Sequence, residues 1–262
     1  MKINLREKCC LLFDCDGVIW RGSKPINGAI NALERLEEEG YKLGFVTNNS
    51  SLSRDSFFQK FLSLGFNPRN YIIINSAYGA AIYIKEKDFK RVFIIGEIGL
   101  REELELQDIY VTEEYESGLQ AVCIGWDRQM TWTKLADAMR VILEDGGFFL
   151  GTNPDNSYPL EDRLVPGAGA GIAALTTACG KEPDLIIGKP NPYLLDLALK
   201  EMGCFDPKKA VCVGDRLSTD ILAGIKAGMD TILVKTGISD YRFKKTIYPT
   251  IEISSIREII NL

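Results

Sequence analysis

Asp14 and Asp16 stand one residue apart at the end of the apolar run Leu11-Leu12-Phe13 and are followed by Gly17-Val18-Ile19. The run reads as a buried strand that surfaces at a turn. Two carboxylates this close repel each other and favour a cation beside them, and hard oxygen ligands suit Mg²⁺. An isolated Asp-X-Asp can also be a turn that merely contains acids. Three further segments repeat the pattern of an apolar run ending in a polar group. Leu43-Gly44-Phe45-Val46 leads into Thr47-Asn48-Asn49-Ser50-Ser51, Leu185-Ile186-Ile187 into Gly188-Lys189-Pro190-Asn191-Pro192, and Ala210-Val211-Cys212-Val213 into Gly214-Asp215-Arg216. In open parallel α/β sheets ligands bind at the carboxyl ends of the strands. Acids, a hydroxyl and a lysine gathered there suit a phosphoryl group bound with Mg²⁺, the lysine and threonine donating to phosphate oxygens. A carboxylate can attack phosphorus to give an aspartyl-phosphate, and a neighbouring acid can protonate the leaving oxygen and then activate water.

The chain contains no histidine. That excludes Ser-His and Cys-His nucleophile pairs, HExxH zinc sites and an imidazole base, so acid-base work falls to carboxylates, Lys, Tyr or Cys.

Positioning these groups requires alternating strands and helices. Apolar spacing predicts helices over 29–39, 53–64 and 77–87, and a strand over 71–74. A middle stretch reads as a unit of its own, with strands over 91–95, 121–124 and 148–150 and helices over 133–144 and 169–179. The first pattern then resumes with a helix to 202, a helix from Thr219-Asp220 to 227, strands over 231–234 and 251–253, and a closing helix over 255–260. The expected fold is therefore α/β: a Rossmann-like parallel sheet with helices on both faces, and an inserted smaller α/β domain. Residues 1–88 and 184–262 would form the core and 89–183 the insertion.

A length of 262 residues allows one large or two modest domains, and a net charge of −5 gives no general attraction to nucleic acid or an anionic membrane. No apolar run is long enough to span a bilayer, and no signal-type core precedes the first strand. The seven cysteines include no CxxC pair, which fits reduced, packed thiols in a cytoplasm. Cys15 should point away from its neighbouring acids by strand alternation and serve packing.

The segments DxDGV, TNNS, GKPNP and GDRxxTD, in this order and spacing, resemble the haloacid dehalogenase superfamily of phosphatases across the whole chain. The central insertion is similar to the large α/β cap of the subgroup that includes NagD-like, 4-nitrophenyl phosphate, phosphoglycolate and pyridoxal phosphate phosphatases. The resemblance implies a Mg²⁺-dependent hydrolase of small phosphorylated metabolites. In that reading Asp14 is the nucleophile, and Asp16 is the general acid/base with its backbone carbonyl on Mg²⁺. Thr47 and the Asn48 amide bind the phosphoryl group, Lys189 balances charge, and Asp215 is a metal ligand beside Asp14. Asp220 would hold a metal-bound water or Lys189; it would also suit a helix N-terminus. The resemblance further allows a homodimer through the cap.

The same resemblance brings the loop Thr152-Asn153-Pro154-Asp155-Asn156-Ser157-Tyr158-Pro159 from the cap to the substrate leaving group. Tyr158 would stack on a ring or bond a hydroxyl there, or pack on Pro159. Asp155 would be the recurring acid of that loop, or an Asx-turn residue. Gly167-Ala168-Gly169-Ala170-Gly171 lacks GxGxxG spacing and a preceding strand, and reads as a flexible lead-in to a helix. Two other uses of aspartyl-phosphate chemistry compete. A receiver-type signalling module carries its acceptor on a later strand and has no inserted domain. A phosphomutase keeps its phosphoryl group from water, which fold alone does not exclude. A non-catalytic metabolite binder would not need every one of these positions filled.

Overall fold

The structure is a computed structural model and describes residues 3–159, 163–237, 243 and 246–262. The chain forms two compact units: Met1–Thr47, Phe58–Ile74 and Lys189–Leu262 in the first, and Asn48–Phe57 and Asn75–Gly188 in the second. Among the described residues no helix is long and apolar enough to cross a membrane.

The first unit is built on a six-stranded sheet in the order Ile251–Ile253, Asp230–Val234, Ala210–Gly214, Cys10–Phe13, Lys42–Thr47, Tyr71–Asn75. Cys10–Phe13 pairs in parallel with Ala210–Gly214 on one side and Lys42–Thr47 on the other. Both Cys10–Phe13 and Ala210–Gly214 are buried at every residue, as strands covered on both faces must be. The chain leaves Cys10–Phe13 toward one edge and returns through Ala210–Gly214 toward the other, so the crevice between their carboxyl ends is the topological switch point of the sheet. Asp14 and Asp215 are the residues next after those two ends.

Helix Ala29–Glu38 buries Ala29, Ala32, Leu33 and Leu36, a single apolar stripe at helical spacing. Gly44 lies where a Cβ would come within 2.4 Å of Leu12, so the central strand pair requires glycine there. An aromatic cluster fills the adjoining core. The Phe61 ring centroid is 4.3 Å from Phe45, 5.0 Å from Trp20 and 5.6 Å from Phe66.

The second unit has a five-stranded parallel sheet in the order Leu185–Ile186, Phe148–Gly151, Ala121–Ile124, Arg91–Ile95, Tyr110–Thr112. Helix Trp132–Leu143 starts where the Thr131 hydroxyl accepts the Lys134 backbone N–H at 3.2 Å. It packs Leu135, Ala138, Val141 and Ile142 into one core with Phe93, Phe149 and Leu175. Segment 48–57 is tied into this unit by polar contacts. Ser76 Oγ and Asn153 Nδ2 donate to the Asn48 carbonyl at 2.6 and 2.7 Å, and Asn75 Nδ2 donates to the Leu52 carbonyl at 2.7 Å. The Arg54 backbone N–H and Nε donate to the fully buried Glu103 carboxylate at 2.6 and 3.0 Å.

The α/β class with parallel sheets agrees with the sequence reading. Several elements lie elsewhere than expected. Leu185–Ile186 joins the five-stranded sheet and does not resume the first one. Helix Ser76–Glu86, counted above with the core, falls in the second unit. Helix Ile98–Glu105 and strand Tyr110–Thr112 were not anticipated, because the buried face of the helix carries Gly99 and Glu103 and so lacks an apolar period. The loop 152–159 ends as a strand, Ser157–Pro159, antiparallel to Leu164–Pro166. The glycines after Pro166 open helix Ala168–Cys179, with Gly167 at its N-cap, as expected; a Cβ at Gly169 would lie 2.5 Å from the Pro154 carbonyl oxygen, so they also permit close packing.

Phe61→Ala should lower stability by about 3–5 kcal/mol, because the cavity would open among rings with little freedom to collapse. Urea unfolding of the two proteins measures this; a loss below about 1 kcal/mol would mean that the cluster is not a packed core.

Candidate active site

At the switch point the Lys189 ammonium is almost wholly buried between two carboxylates. Its Nζ is 2.7 Å from Asp14 Oδ1 and 2.6 Å from Asp220 Oδ1, and it donates to the Val46 carbonyl at 2.8 Å. Burial pulls the lysine toward its neutral form, but the charges of Asp14 and Asp220 outweigh it and hold the ammonium well above the ordinary lysine range. Asp220 lies in the wide first turn, Leu217–Ile221, of the helix that continues as Leu222–Lys226, close to its expected start; its Oδ2 accepts the Arg216 backbone N–H at 3.1 Å, leaving Oδ1 for Lys189.

Asp14 is raised as well, which for a carboxyl favours the neutral form. Burial raises its carboxyl from 3.8 to about 7, against the lowering effect of Lys189 and with Asp220 and Asp16 adding to the rise. Asp16 is also raised by burial, with Lys60 and a Trp20 hydrogen bond opposing. Trp20 Nε1 donates to Asp16 Oδ1 at 3.0 Å, and the Lys60 ammonium lies 4.2 Å from the Trp20 ring centroid. Neither Lys60 nor Trp20 was singled out from sequence. Both lie outside the motif cores, and only the fold brings helix Arg54–Ser63 to the turn after Asp16.

One carboxylate oxygen from each of Asp14, Asp215 and Asp220 lies within 4.8 Å of the others. Asp215 is fixed by backbone approaching it closely. A Cβ on Gly17, which has φ of +84°, would be 2.4 Å from Asp215 Oδ2, and one on Gly237 would be 1.6 Å away. Gly237 carried no motif signal. Four carboxylates, Asp14, Asp16, Asp215 and Asp220, thus share a largely buried site with Lys189, and Asp220 and Asp16 add to the rise that burial imposes on Asp14. An oxygen-only donor set fits a hard dication such as Mg²⁺. Thr47, also buried, ends strand Lys42–Thr47 at the same edge of the sheet. Cys15 is fully buried beside the acids, with its thiol pushed up by burial, as a packing residue would be.

The other expected site residues meet within the second unit. Asn48 Nδ2 donates to Asp155 Oδ2 at 3.0 Å, and Asn49 Nδ2 donates to the Tyr158 hydroxyl at 3.3 Å. An Asx-turn in this loop is made by Asn153, whose Oδ1 accepts the Asp155 N–H at 3.1 Å. The Tyr158 ring lies against Trp126, with centroids 4.6 Å apart. Trp126 was likewise missed, since nothing local distinguishes it from a core aromatic.

Residues 11–110 match the haloacid dehalogenase-like hydrolase family, and residues 186–258 match a second HAD-hydrolase-like family. A glycerol-3-phosphate phosphatase from Rattus norvegicus is 33% identical over 99% of this chain and 92% of its own length. A 4-nitrophenylphosphatase from Thermotoga maritima superposes with a TM-score of 0.90 at 29% identity, covering 98% of both chains. A glycerol phosphate phosphatase from Mycobacterium tuberculosis, solved in complex with magnesium, superposes with a TM-score of 0.87 at 32% identity, covering 98% of this chain and 78% of that one. The chain belongs to the haloacid dehalogenase-like hydrolase family, among its phosphatases.

A carboxyl raised on folding holds its proton more tightly in the folded state. The stability it contributes is complete below 3.8 and is lost as pH rises through about 7. In EDTA the protein should therefore lose stability as pH rises from 3.8 to about 7, and Asp14→Asn should flatten that slope. Thermal unfolding across pH with EDTA measures both, and an equal slope in the variant would remove Asp14 as its source.

Proposed function

We propose that this chain is a Mg²⁺-dependent phosphatase that hydrolyses a small-molecule phosphomonoester through an aspartyl-phosphate on Asp14. The observation that carries this reading is Lys189 held between Asp14 and Asp220 at 2.7 and 2.6 Å, at the switch point of the sheet. The lysine fixes the Asp14 carboxylate, keeps one oxygen in a defined direction and offsets charge as phosphate approaches.

Asp14 attacks phosphorus, and the bond from phosphorus to the ester oxygen breaks. Asp16, whose burial favours the protonated form, gives its proton to the departing oxygen. The resulting Asp16 carboxylate then takes a proton from a water that attacks the aspartyl-phosphate, releasing inorganic phosphate and restoring Asp14. The Trp20 N–H holds the Asp16 carboxyl in one orientation for both transfers. Thr47 and the Asn48 backbone amide donate to the phosphoryl oxygens. Mg²⁺, when bound, would be held by Asp14, the Asp16 carbonyl and Asp215, and supplies positive charge that relieves carboxylate-phosphate repulsion. Asp220 orients Lys189.

We assign the second unit, with Asn48, Asp155 and Tyr158, as the cap that selects the leaving group. Within this unit the Tyr158–Trp126 pair is aromatic and the Asn48–Asp155 pair polar, a combination of groups that suits a small hydroxylated metabolite. Glycerol phosphate is the substrate class that the named relatives suggest.

Phosphate release from 4-nitrophenyl phosphate and from glycerol phosphate, each with Mg²⁺ and with EDTA, tests the proposal. Turnover should require Mg²⁺, and Asp14→Asn should lose at least about three orders of magnitude in kcat. Turnover that survives in EDTA, or a variant that keeps a substantial share of the rate, would contradict it.

A further inference from the structure

The strand that delivers Asp14 begins at Cys10, and a second cluster of metal-ligating side chains lies at that opposite end. We infer that Cys9, Cys10 and Cys204 form a thiolate site for a soft d10 cation of the zinc class at the N-terminal base of the six-stranded sheet. One sulfur from each of the three lies within 4.8 Å of the others. Cys9 Sγ is 3.4 Å from Cys204 Sγ and 3.7 Å from Cys10 Sγ. Thiolates bound to zinc at about 2.3 Å in tetrahedral geometry stand roughly 3.8 Å from one another, so little movement separates the observed sulfurs from a coordinating set.

The sulfurs are preorganised by backbone. The Cys9 N–H donates to the Lys209 carbonyl at 2.9 Å, and its carbonyl accepts the Lys42 N–H at 3.2 Å. Cys10 is in register with Ala210 and Lys42 in the sheet interior. The Cys204 N–H donates to the Leu199 carbonyl at 2.9 Å, fixing it just beyond helix Tyr193–Glu201. Two of the three thiols are buried and Cys9 is exposed, which gives a metal a path in and leaves a fourth position open to water. Lys42 brings positive charge to the same end, its Nζ bonding the Met202 carbonyl at 2.9 Å, and three thiolates around a dication leave one negative charge for it to offset.

The donor set also settles which cation the site would take. It contains sulfur alone in a chain without histidine, whereas the acids beyond Phe13 offer oxygen alone. Soft and hard cations are therefore sorted to the two ends of one strand, about 13 Å apart. Burial, together with hydrogen bonds that the Cys10 thiol donates toward Cys204 and Cys9, holds it far above its ordinary range. Protons must leave as the metal enters, and affinity must rise with pH.

The test uses the full chain, reduced, desalted and saturated with Mg²⁺ so that the carboxylates are occupied, and then titrated with Cd²⁺. Thiolate-to-cadmium charge transfer absorbs in the ultraviolet, and carboxylates bound to cadmium do not give this band. The expected result is a band that saturates at one Cd²⁺ per chain with release of protons. Cys204→Ser and Cys9→Ser should each weaken binding at least about tenfold, and Cys179→Ser should leave it unchanged. Circular dichroism checks that the variants fold, and Cys9→Ser, at an exposed position, carries the test if Cys204→Ser does not. No band, a band equally strong in Cys9→Ser, or a Cys9–Cys204 disulfide in the protein as isolated would overturn the inference.

Discussion

An ammonium removed from water is stable only where opposite charge and hydrogen bonds replace its hydration. Lys189 meets that condition with Asp14, Asp220 and the Val46 carbonyl, each within 2.8 Å. The requirement runs outward from there. Asp220 must be turned inward, which the wide turn at Leu217–Ile221 accomplishes with the Arg216 N–H as its second anchor. Val46 must stop one residue before Thr47, so strand Lys42–Thr47 fixes both the carbonyl and the hydroxyl. The sheet must place these groups beside Asp14, and the switch between Cys10–Phe13 and Ala210–Gly214 does so. Burial raises Asp14 to about 7, with the neighbouring Asp220 and Asp16 adding to the rise, and oxygen donors gathered this closely suit a hard cation.

Much of this was legible in the sequence because it depends on strand ends. An apolar run that stops at Asp14, Thr47 or Asp215 announces both the strand and the group it delivers. Asp220 was ambiguous from its local surroundings, since an acid after a threonine also suits a helix N-terminus. Only the distance to Lys189 resolves its place. Lys60, Trp126 and Gly237 left no signal, because each acts on a residue reached through tertiary packing, and Trp20, though only four residues from Asp16, belongs to no motif. The division of the chain was less legible still. Leu185-Ile186 is as apolar as any core strand, and nothing in its composition says which sheet it will join. Glu103 hid a helix by standing on its buried face, where Arg54 is its partner.

The close approaches at Gly17 and Gly237 bear on specificity of geometry. Both glycines admit Asp215 at distances that any side chain would forbid. Backbone this close bounds where the Asp215 carboxylate can lie, which suits chemistry whose catalytic gain comes from fixed position and fixed charge. The same economy appears at the other end of the sheet, where three sulfurs are held by strand and helix termini. The second unit meets its needs differently, with amide, carboxylate and aromatic side chains facing one another around Asn48, Asp155, Tyr158 and Trp126.

The central claim is that Asp14 becomes covalently phosphorylated. The most direct measurement is acid quenching during turnover of 4-nitrophenyl phosphate, followed by peptide mass analysis, in an Asp16→Asn variant that lacks the base for the second step. The account predicts one phosphoryl group on the peptide that carries Asp14, accumulating in step with a burst of 4-nitrophenol. A variant that releases 4-nitrophenol while Asp14 stays unmodified would place the attack on water and contradict the account.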